Sequence, residues 1–270
     1  MFRSKACRLC ALVCVLALLL SGCEVVKKLT GRTDPESEIE KLPRNRTDPE
    51  AFRTLENGAV DYPGAVQGID VSSHQREIDW KKVRADGISF AIIQIGFRGY
   101  GDGSLNEDVR FAYNYEQARA AGIAVGVYFY SQALTEAEAE EEADFVLKTL
   151  NGRSLQLPVF YDWEDVSTGR TAGAGGYQVS DFALRFCRTV IAEGYNAGVY
   201  FNQRDAYTRL RLREIKAFAF WLAEYDEVQS FRYAVHFWQY TGKGKVDGID
   251  LPVDRDLMYT DSEGLTEDTP

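Results

Sequence analysis

The hydrophobic residues of this chain fall into eight short runs that are rich in β-branched and aromatic side chains. Between most of these runs, apolar residues recur at the three- and four-residue spacing of a helix. This alternation predicts strands joined by crossover helices, and therefore an α/β fold. Eight parallel strands suggest a TIM-like (β/α) barrel. The predicted strands cover residues 67–72, 90–97, 123–131, 157–164, 196–202, 218–225, 234–241 and 253–259.

Helical patterns follow only the first five predicted strands, at residues 78–87, 106–122, 135–152, 179–194 and 204–217. The sixth and seventh strands are separated by eight residues, 226–233, whereas a helical crossover needs about a dozen or more. We therefore expect an irregular barrel of eight strands and about five helices, in which the last three strands lack helices.

The N-terminal segment has the pattern of a secretory signal. Residues 1–22 contain three basic side chains, no acidic one and an apolar run at residues 9–20, which is too short to span a membrane. The run ends in Leu20-Ser21-Gly22-Cys23, which resembles the bacterial lipobox, where the cysteine is lipidated. An ordinary signal followed by an unrelated cysteine is the alternative.

The remaining chain divides into three parts. Residues 23–65 are polar and broken by four prolines, so we expect a lipidated Cys23 followed by a flexible tether. Residues 66–260 form the predicted barrel domain, and residues 261–270 are an acidic tail. This organisation predicts an exported domain held to a membrane through lipid.

The chain is acidic, with 41 acidic and 31 basic residues. Without the predicted signal, 28 basic residues remain and the formal charge is −13. Such a charge repels nucleic acid phosphates, so we expect no nucleic acid partner. An acidic surface is also common among soluble proteins and does not select a substrate. We expect a monomer.

Cysteine and histidine offer little chemistry. Three of the five cysteines lie in the predicted signal and Cys23 receives lipid, so only Cys187 remains and no intramolecular disulfide is expected. Cys187 lies in an amphipathic stretch that predicts a buried side chain. His74 and His236 are the only histidines and lack the spacing of zinc ligands, so we expect no metal and no cofactor.

Two carboxylates end the fourth predicted strand, LPVFYDWE. In an α/β barrel the reacting groups lie at the C-terminal ends of strands. Asp162 and Glu164 are two residues apart and face the same side, with α-carbons about 6.5 Å apart, while Trp163 faces the other side. Such a pair separates two pKa values and keeps one carboxyl protonated as an acid. A polar strand end satisfied by caps and water is the alternative.

Other side chains could reach the same end of the barrel. Asp70 closes the first predicted strand and Asp254 lies in the eighth, although either could instead cap a loop. Aromatic residues near strand ends could stack on the apolar faces of sugars, although each could also belong to the core or the rim. These candidates are Tyr128, Tyr130, Trp221, Tyr225, Trp238 and Tyr240.

Five ordered motifs together resemble glycoside hydrolase family 25, the Chalaropsis-type lysozymes, over residues 66–260. They are GIDVSSHQREIDW, GVYFYSQA, LPVFYDWEDV, FWLAEY and FWQYTGKGKVDGIDLPVD. The resemblance implies a barrel with five helices and three final strands that lack them. It also implies a muramidase that hydrolyses the β-1,4 bond between N-acetylmuramic acid and N-acetylglucosamine in peptidoglycan glycan strands.

Carried over by motif, the resemblance implies that Glu164 is the general acid/base and Asp162 its partner. Asp70 and Asp254 are then the carboxylates of the first and last strands. The chain departs from the family pattern at Arg76, where glycine is common, and in the ending of VDRD, which makes Asp254 the least secure assignment.

Two other functions stay open at this point. One is a peptidoglycan-binding lipoprotein without activity, and the other is a hydrolase of another N-acetylated glycan such as chitin. The route of hydrolysis is also open among retention through a covalent intermediate, inversion, and attack by the 2-acetamido group of the substrate. For an N-acetylated substrate, the last route is the expectation.

Overall fold

The computed structural model describes residues 42–260, which contain a closed eight-stranded barrel and five α-helices. In chain order the strands are β1 (Arg53–Thr54), β2 (Val60–Asp61), β3 (Ala65–Val71), β4 (Phe90–Arg98), β5 (Leu105–Glu107), β6 (Ala124–Ser131), β7 (Val159–Trp163), β8 (Ala197–Asn202), β9 (Ala219–Ala223), β10 (Phe237–Gly244) and β11 (Val253–Tyr259). The helices are α1 (Trp80–Ala85), α2 (Phe111–Ala120), α3 (Glu136–Leu150), α4 (Gln178–Ala192) and α5 (Gln203–Thr208).

The barrel has the strand order β3-β4-β6-β7-β8-β9-β10-β11, and pairing of β11 with β3 closes it. The eight predicted strands, the helices after the first five and the helix-free end are confirmed. The last strand differs from the prediction because β11 is antiparallel to both neighbours. Only residues 245–252 join β10 to β11, and such a short connection reverses the chain but cannot carry it back along the barrel.

Two predicted helices are shorter than expected. The segment 106–122 begins with a strand, because β5 pairs with the end of β4 before α2 starts. Helix α5 ends at Thr208, whereas the prediction extended to residue 217. Beyond it, Arg211 pairs with Asp181 of α4, and its backbone N–H donates to Ser180 Oγ at 2.7 Å. These tertiary contacts outweigh the helical pattern of the segment.

Aromatic rings fill the interior of the barrel. Phe237 meets Phe90 and Phe160 at ring-centroid distances of 5.7 and 5.2 Å. A Cβ at Gly68 would lie 2.2 Å from the ring of Phe90, and a Cβ at Gly198 would lie 2.3 Å from that of Phe160. Glycine is therefore required on two strands to admit the rings of their neighbours.

Residues 43–65 pack against the outside of the barrel, so the predicted tether is wrong for this stretch. Asn45 Nδ2 donates to Gln229 Oε1 at 2.9 Å, and the ring of Phe52 lies 5.3 Å from that of Trp238. The physical reason is that none of the helices described between residues 42 and 260 covers the outer face of β10, and this segment packs Phe52 against that face instead. Residues 1–22, Cys23 and the predicted tail 261–270 lie outside the described residues.

The barrel domain begins and ends at the same end of the barrel. Pro43 O accepts a hydrogen bond from the N–H of Ala234, which precedes β10, and Thr260 N–H donates to Gly64 O just before β3. Both contacts lie near the N-terminal ends of the parallel strands, which we call the base. Between residues 42 and 260, no helix is long and apolar enough to cross a membrane.

Candidate active site

Five carboxyl groups gather at the C-terminal ends of the parallel strands, which we call the mouth. Asp70 lies near the end of β3, and Asp162 and Glu164 lie at the end of β7. Because β11 runs in the reverse direction, it brings Asp254 and Asp256 to the mouth, with Asp254 directly opposite Asp70. The structure thus brings together the four predicted carboxylates and adds Asp256.

Asp162 and Glu164 lie in different surroundings. Asp162 is buried, and its Oδ1 has no hydrogen-bond partner among the described residues. Burial raises the pKa of Asp162 well above its usual range, and the charge of Glu164 raises it further. Glu164 is half-buried, and its Oε2 accepts a 3.1 Å hydrogen bond from the hydroxyl of Tyr130.

Three influences set the pKa of Glu164. Burial raises it, the hydrogen bond from Tyr130 lowers it, and the charge of Asp205 raises it, with a net upward shift. A carboxyl with a raised pKa keeps its proton in the pH range where a general acid is needed. Glu164 can therefore hold a proton, whereas Asp162 has a carboxyl oxygen, Oδ1, that accepts no hydrogen bond from the described residues.

A hydrogen-bonded chain links the two carboxylates on the other side of the mouth. Gln239 Nε2 donates to Asp70 Oδ2 at 2.6 Å. Gln239 Oε1 accepts from the hydroxyls of Tyr200 and Tyr225, at 3.0 and 3.2 Å. The Tyr225 hydroxyl also lies 3.5 Å from Asp254 Oδ1.

The acids on this side crowd one another. Burial raises the pKa of Asp70 well above its usual range, and the charges of Asp254 and Asp256 raise it further. Burial also raises the pKa of Asp254, and raises that of Asp256 to about 8. No lysine or arginine between residues 42 and 260 forms an ion pair with any acid of the mouth. The raised pKa values therefore favour the protonated forms of these acids.

Three of the six predicted aromatic residues lie at the mouth. Tyr130 contacts Glu164, and Tyr225 is 63% exposed beside Asp254. Tyr128 is half-buried, and its pKa is raised well above its usual range by burial and by the charges of nearby mouth acids, Asp70 first. These three rings are in position to contact a substrate.

The other three predicted aromatic residues are not available to a substrate, so their prediction is wrong. Trp221 is inside the barrel but only 1% exposed. Trp238 and Tyr240 are buried on the outer face, where the Trp238 Nε1–H donates to Glu224 O and the Tyr240 hydroxyl to Gln67 Oε1. Alternation along β10 turns Phe237 and Gln239 inward and therefore turns Trp238 and Tyr240 outward.

The same alternation identifies residues that the sequence analysis missed. Gln239 is a buried polar residue flanked by aromatic ones in β10, and Tyr200 occupies an inward position of β8. Asp256 lies two residues after Asp254 and shares its face of β11. Alternate residues of a strand face the same side, so these side chains can be assigned to the interior once one inward-facing residue of each strand is known.

A loop after β4 forms a wall beside Glu164. The loop covers residues 99–104, and the ring of Tyr100 lies 5.7 Å from that of Tyr130 in an edge-on arrangement. Tyr100 is 49% exposed, and its carbonyl accepts a 2.8 Å hydrogen bond from the N–H of Arg170. The wall therefore presents a further ring next to the acid pair.

Other reactive groups lie away from the mouth. Cys187 is buried in α4, as predicted, and burial raises the pKa of its thiol. Within residues 42–260, no cluster of three or more histidine, cysteine, aspartate or glutamate side chains is arranged to hold a metal ion.

The sequence profile of glycosyl hydrolases family 25 matches residues 69–249. The chain is 30% identical over 211 residues to Lysozyme M1 of Streptomyces globisporus, an alignment that covers 73% of this chain and 69% of that protein. It is similar to the modular autolysin LytC from Streptococcus pneumoniae in complex with a synthetic peptidoglycan ligand, with 25% identity and a TM-score of 0.67, over 81% of this chain and 52% of that chain. The bacterial lysozyme from Streptomyces coelicolor shows 27% identity and a TM-score of 0.57, over 73% of this chain and 93% of that one. The chain therefore belongs to glycosyl hydrolase family 25 and is a glycoside hydrolase.

Proposed function

We propose that this protein is a muramidase, which hydrolyses the β-1,4 bond between N-acetylmuramic acid and N-acetylglucosamine in peptidoglycan. The observation that carries the proposal is the pair Asp162 and Glu164, set at the mouth of a family 25 barrel with raised pKa values and different hydrogen bonding. The peptidoglycan ligand of the similar autolysin and the lysozyme relatives support this choice of substrate.

Glu164 is assigned as the general acid. Its raised pKa favours the protonated form that donates to the glycosidic oxygen as the bond breaks. Tyr130 then stabilises the ionised carboxylate through the hydrogen bond to Oε2. In the second half of the reaction, Glu164 accepts a proton from the attacking water and returns to its starting state.

Asp162 is assigned to the 2-acetamido group of the sugar. Its unpartnered Oδ1 can accept the N–H of that group without giving up a hydrogen bond within the protein. The reactive form of the pair carries its proton on Glu164 and leaves Asp162 ionised. The acetamido oxygen attacks the anomeric carbon, Glu164 gives its proton to the leaving oxygen as that bond breaks, and Asp162 accepts the N–H proton. Water then attacks the same carbon and opens the five-membered ring that the acetamido group formed with it. Asp162 returns its proton to the acetamido nitrogen, and the product has retained configuration.

The test compares the purified protein with Glu164→Gln and with Glu193→Gln, an exposed residue at the end of α4. Peptidoglycan digests are analysed by mass spectrometry, and the anomer first released is identified by NMR. We expect fragments with reducing muramic acid ends from the wild type and from Glu193→Gln, and a loss on the order of 10²- to 10⁴-fold for Glu164→Gln. An initial α-anomer would contradict retention and the role given to Asp162.

The same digest separates the two other functions. Glycan that stays intact but retains the protein would indicate a binding lipoprotein. Cleavage of chitin oligomers without cleavage of peptidoglycan would indicate a hydrolase of another N-acetylated glycan. Thermal unfolding of each variant shows whether a loss of activity reflects a loss of fold.

We further infer that the protein is exported and anchored to a membrane by lipid at Cys23, so that its partners are the membrane and the glycan strands. The support is the apolar run and the Leu-Ser-Gly-Cys sequence that ends it. The test is metabolic labelling with a fatty acid. Label should be lost in Cys23→Ala and kept in Cys187→Ala, and label in both variants would contradict the assignment.

A further inference from the structure

Asp256 is the most deeply buried acid of the mouth. It is 0% exposed and lies on β11 opposite Gln239. Its Oδ1 accepts a 2.8 Å hydrogen bond from Trp221 Nε1–H, while its Oδ2 has no donor among the described residues except the carboxyl of Asp70. Trp221 therefore fixes one carboxyl oxygen of Asp256, and the other oxygen faces Asp70.

Asp256 lies two residues beyond Asp254, the strand partner of Asp70, so both side chains point into the same part of the barrel. After burial, hydrogen bonding between the two carboxyls contributes to the raised pKa of Asp70 and lowers that of Asp256. Two carboxylates in hydrogen-bond contact cannot both be ionised when they are buried without a neighbouring cation. Among the residues described, neither acid forms an ion pair with a lysine or arginine. The contact therefore requires one proton between the two groups, which makes them a carboxyl–carboxylate pair.

This contact determines where Asp70 is held. Asp70 Oδ2 is fixed by Gln239, whose Oε1 receives the hydroxyls of Tyr200 and Tyr225. If the shared proton were lost, repulsion from Asp256 would push Asp70 away from its place and break the alignment of this chain. Loss of Asp256 would leave the Trp221 donor and one oxygen of Asp70 without partners.

We propose that Asp256 is a positioning residue for hydrolysis, which shares one proton with Asp70 and so fixes the carboxyl of Asp70 toward the substrate. The proposal rests on the function proposed above, because it concerns the same mouth. The titratable groups that face the pair from inside the mouth are Asp254 from β11, Tyr128 from β6, Tyr200 from β8 and Tyr225 after β9. Tyr240 of β10 lies on the outer face, where the charge of Asp256 still contributes to its raised pKa after burial.

Two substitutions separate the shared proton from simple packing. In Asp256→Asn, the amide oxygen can still accept from Trp221, and the amide nitrogen can donate permanently to Asp70. In Asp256→Ala, both contacts are lost. Glu142→Gln is the matched control, because Glu142 is also 0% exposed and hydrogen-bonded, but it pairs with Arg98 outside the mouth.

The first measurement is an NMR pH titration of the purified protein carrying ¹³C-labelled aspartate carboxyls, assigned with Asp70→Asn and Asp256→Asn. In the wild type, Asp70 and Asp256 should titrate in two linked steps. In Asp256→Asn, the midpoint of Asp70 should move to lower pH, because a fixed donor favours the ionised form. In Glu142→Gln it should stay unchanged. Independent titrations of the two acids in the wild type would overturn the proposal, and this readout does not depend on activity.

The second measurement is the rate of peptidoglycan hydrolysis. We expect Asp256→Ala to lose on the order of 10- to 100-fold in kcat with a smaller change in KM, as for a misplaced reacting group. Asp256→Asn should recover most of this loss. Wild-type kcat in Asp256→Ala, or no recovery in Asp256→Asn, would overturn the positioning role. If the wild type itself cuts no glycan, the proposed function fails, whereas the titration still decides the shared proton.

Discussion

The hydroxyl of Tyr130 donates a 3.1 Å hydrogen bond to Glu164 Oε2 from the neighbouring strand β6, whose Tyr130 pairs in register with Asp162 of β7. The pairing of β6 with β7 therefore orients the Glu164 carboxyl, and no loop residue is needed for this hydrogen bond. Because the donor favours the ionised carboxylate, Tyr130 opposes the upward shift that burial imposes on the pKa of Glu164.

Tyr130→Phe should move the alkaline limb of the activity profile to higher pH. Loss of the hydroxyl removes the influence that lowers the pKa of Glu164, so the acid keeps its proton to a higher pH. Asp205→Asn should move the same limb to lower pH, since the charge of Asp205 raises that pKa. The measurement is kcat/KM against pH for both variants. Shifts in the same direction would contradict the assignment of this limb to Glu164.

Asp162→Asn should abolish most activity and yet stabilise the fold at neutral and higher pH. Burial raises the pKa of Asp162, so the folded state binds more protons than the unfolded chain, and stability falls as pH rises above the usual aspartate range. The amide removes this loss, so Tm of Asp162→Asn relative to the wild type should be higher at pH 8 than at pH 5. Thermal unfolding at pH 5 and pH 8 checks it. The exposed control Asp250→Asn should follow the wild type.

Tyr225→Ala should weaken glycan binding. The ring is 63% exposed, and its hydroxyl contacts Gln239 and Asp254, so it combines a stacking surface with a link to the carboxylates. We expect KM to rise by about 2- to 10-fold, the range of one aromatic contact. Tyr207→Ala is the matched control, because Tyr207 is 49% exposed and packs on Phe231. Equal effects in both variants would argue against a specific role for Tyr225.

Gly198→Ala should destabilise the barrel by about 1–3 kcal/mol, as expected for overpacking. The added methyl would lie 2.3 Å from the ring of Phe160, which is enclosed by other rings. The double change with Phe160→Leu should recover part of the loss in chemical denaturation. Gly101→Ala should be near neutral, because no atom lies within 4 Å of its added methyl.

Strand periodicity was sufficient to predict Asp162 and Glu164 at one end of a barrel, because a carboxylate at the end of an apolar strand lies where the buried core gives way to solvent. For Asp70 and Asp254 a loop-capping role stayed open, and Asp254, at the start of its strand, lies at the mouth because β11 is antiparallel to its neighbours. Periodicity was insufficient for β10, where four consecutive residues could each face inward. A shift of one residue exchanges Gln239 for Trp238, and the sequence contains no local signal of that phase.

The predicted tether failed for a different reason. Prolines and mixed charge indicate irregular backbone, but they do not tell whether that backbone packs on the domain. Phe52 and Tyr62 pack against each other, with ring centroids 4.5 Å apart, and Phe52 also meets Trp238 on the helix-free face of β10. That partnership depends on tertiary structure, since the two segments are far apart in the chain.

The position of Pro43 and Thr260 at the base has a consequence for reach. With lipid at Cys23, as proposed, nineteen residues separate the anchor from Pro43, and a fully extended chain of that length spans at most about 65–70 Å. The carboxylates lie at the opposite end of the barrel from this attachment point. On this proposal, the enzyme would cleave only those glycan strands that lie within reach of the extended linker and the domain that it carries.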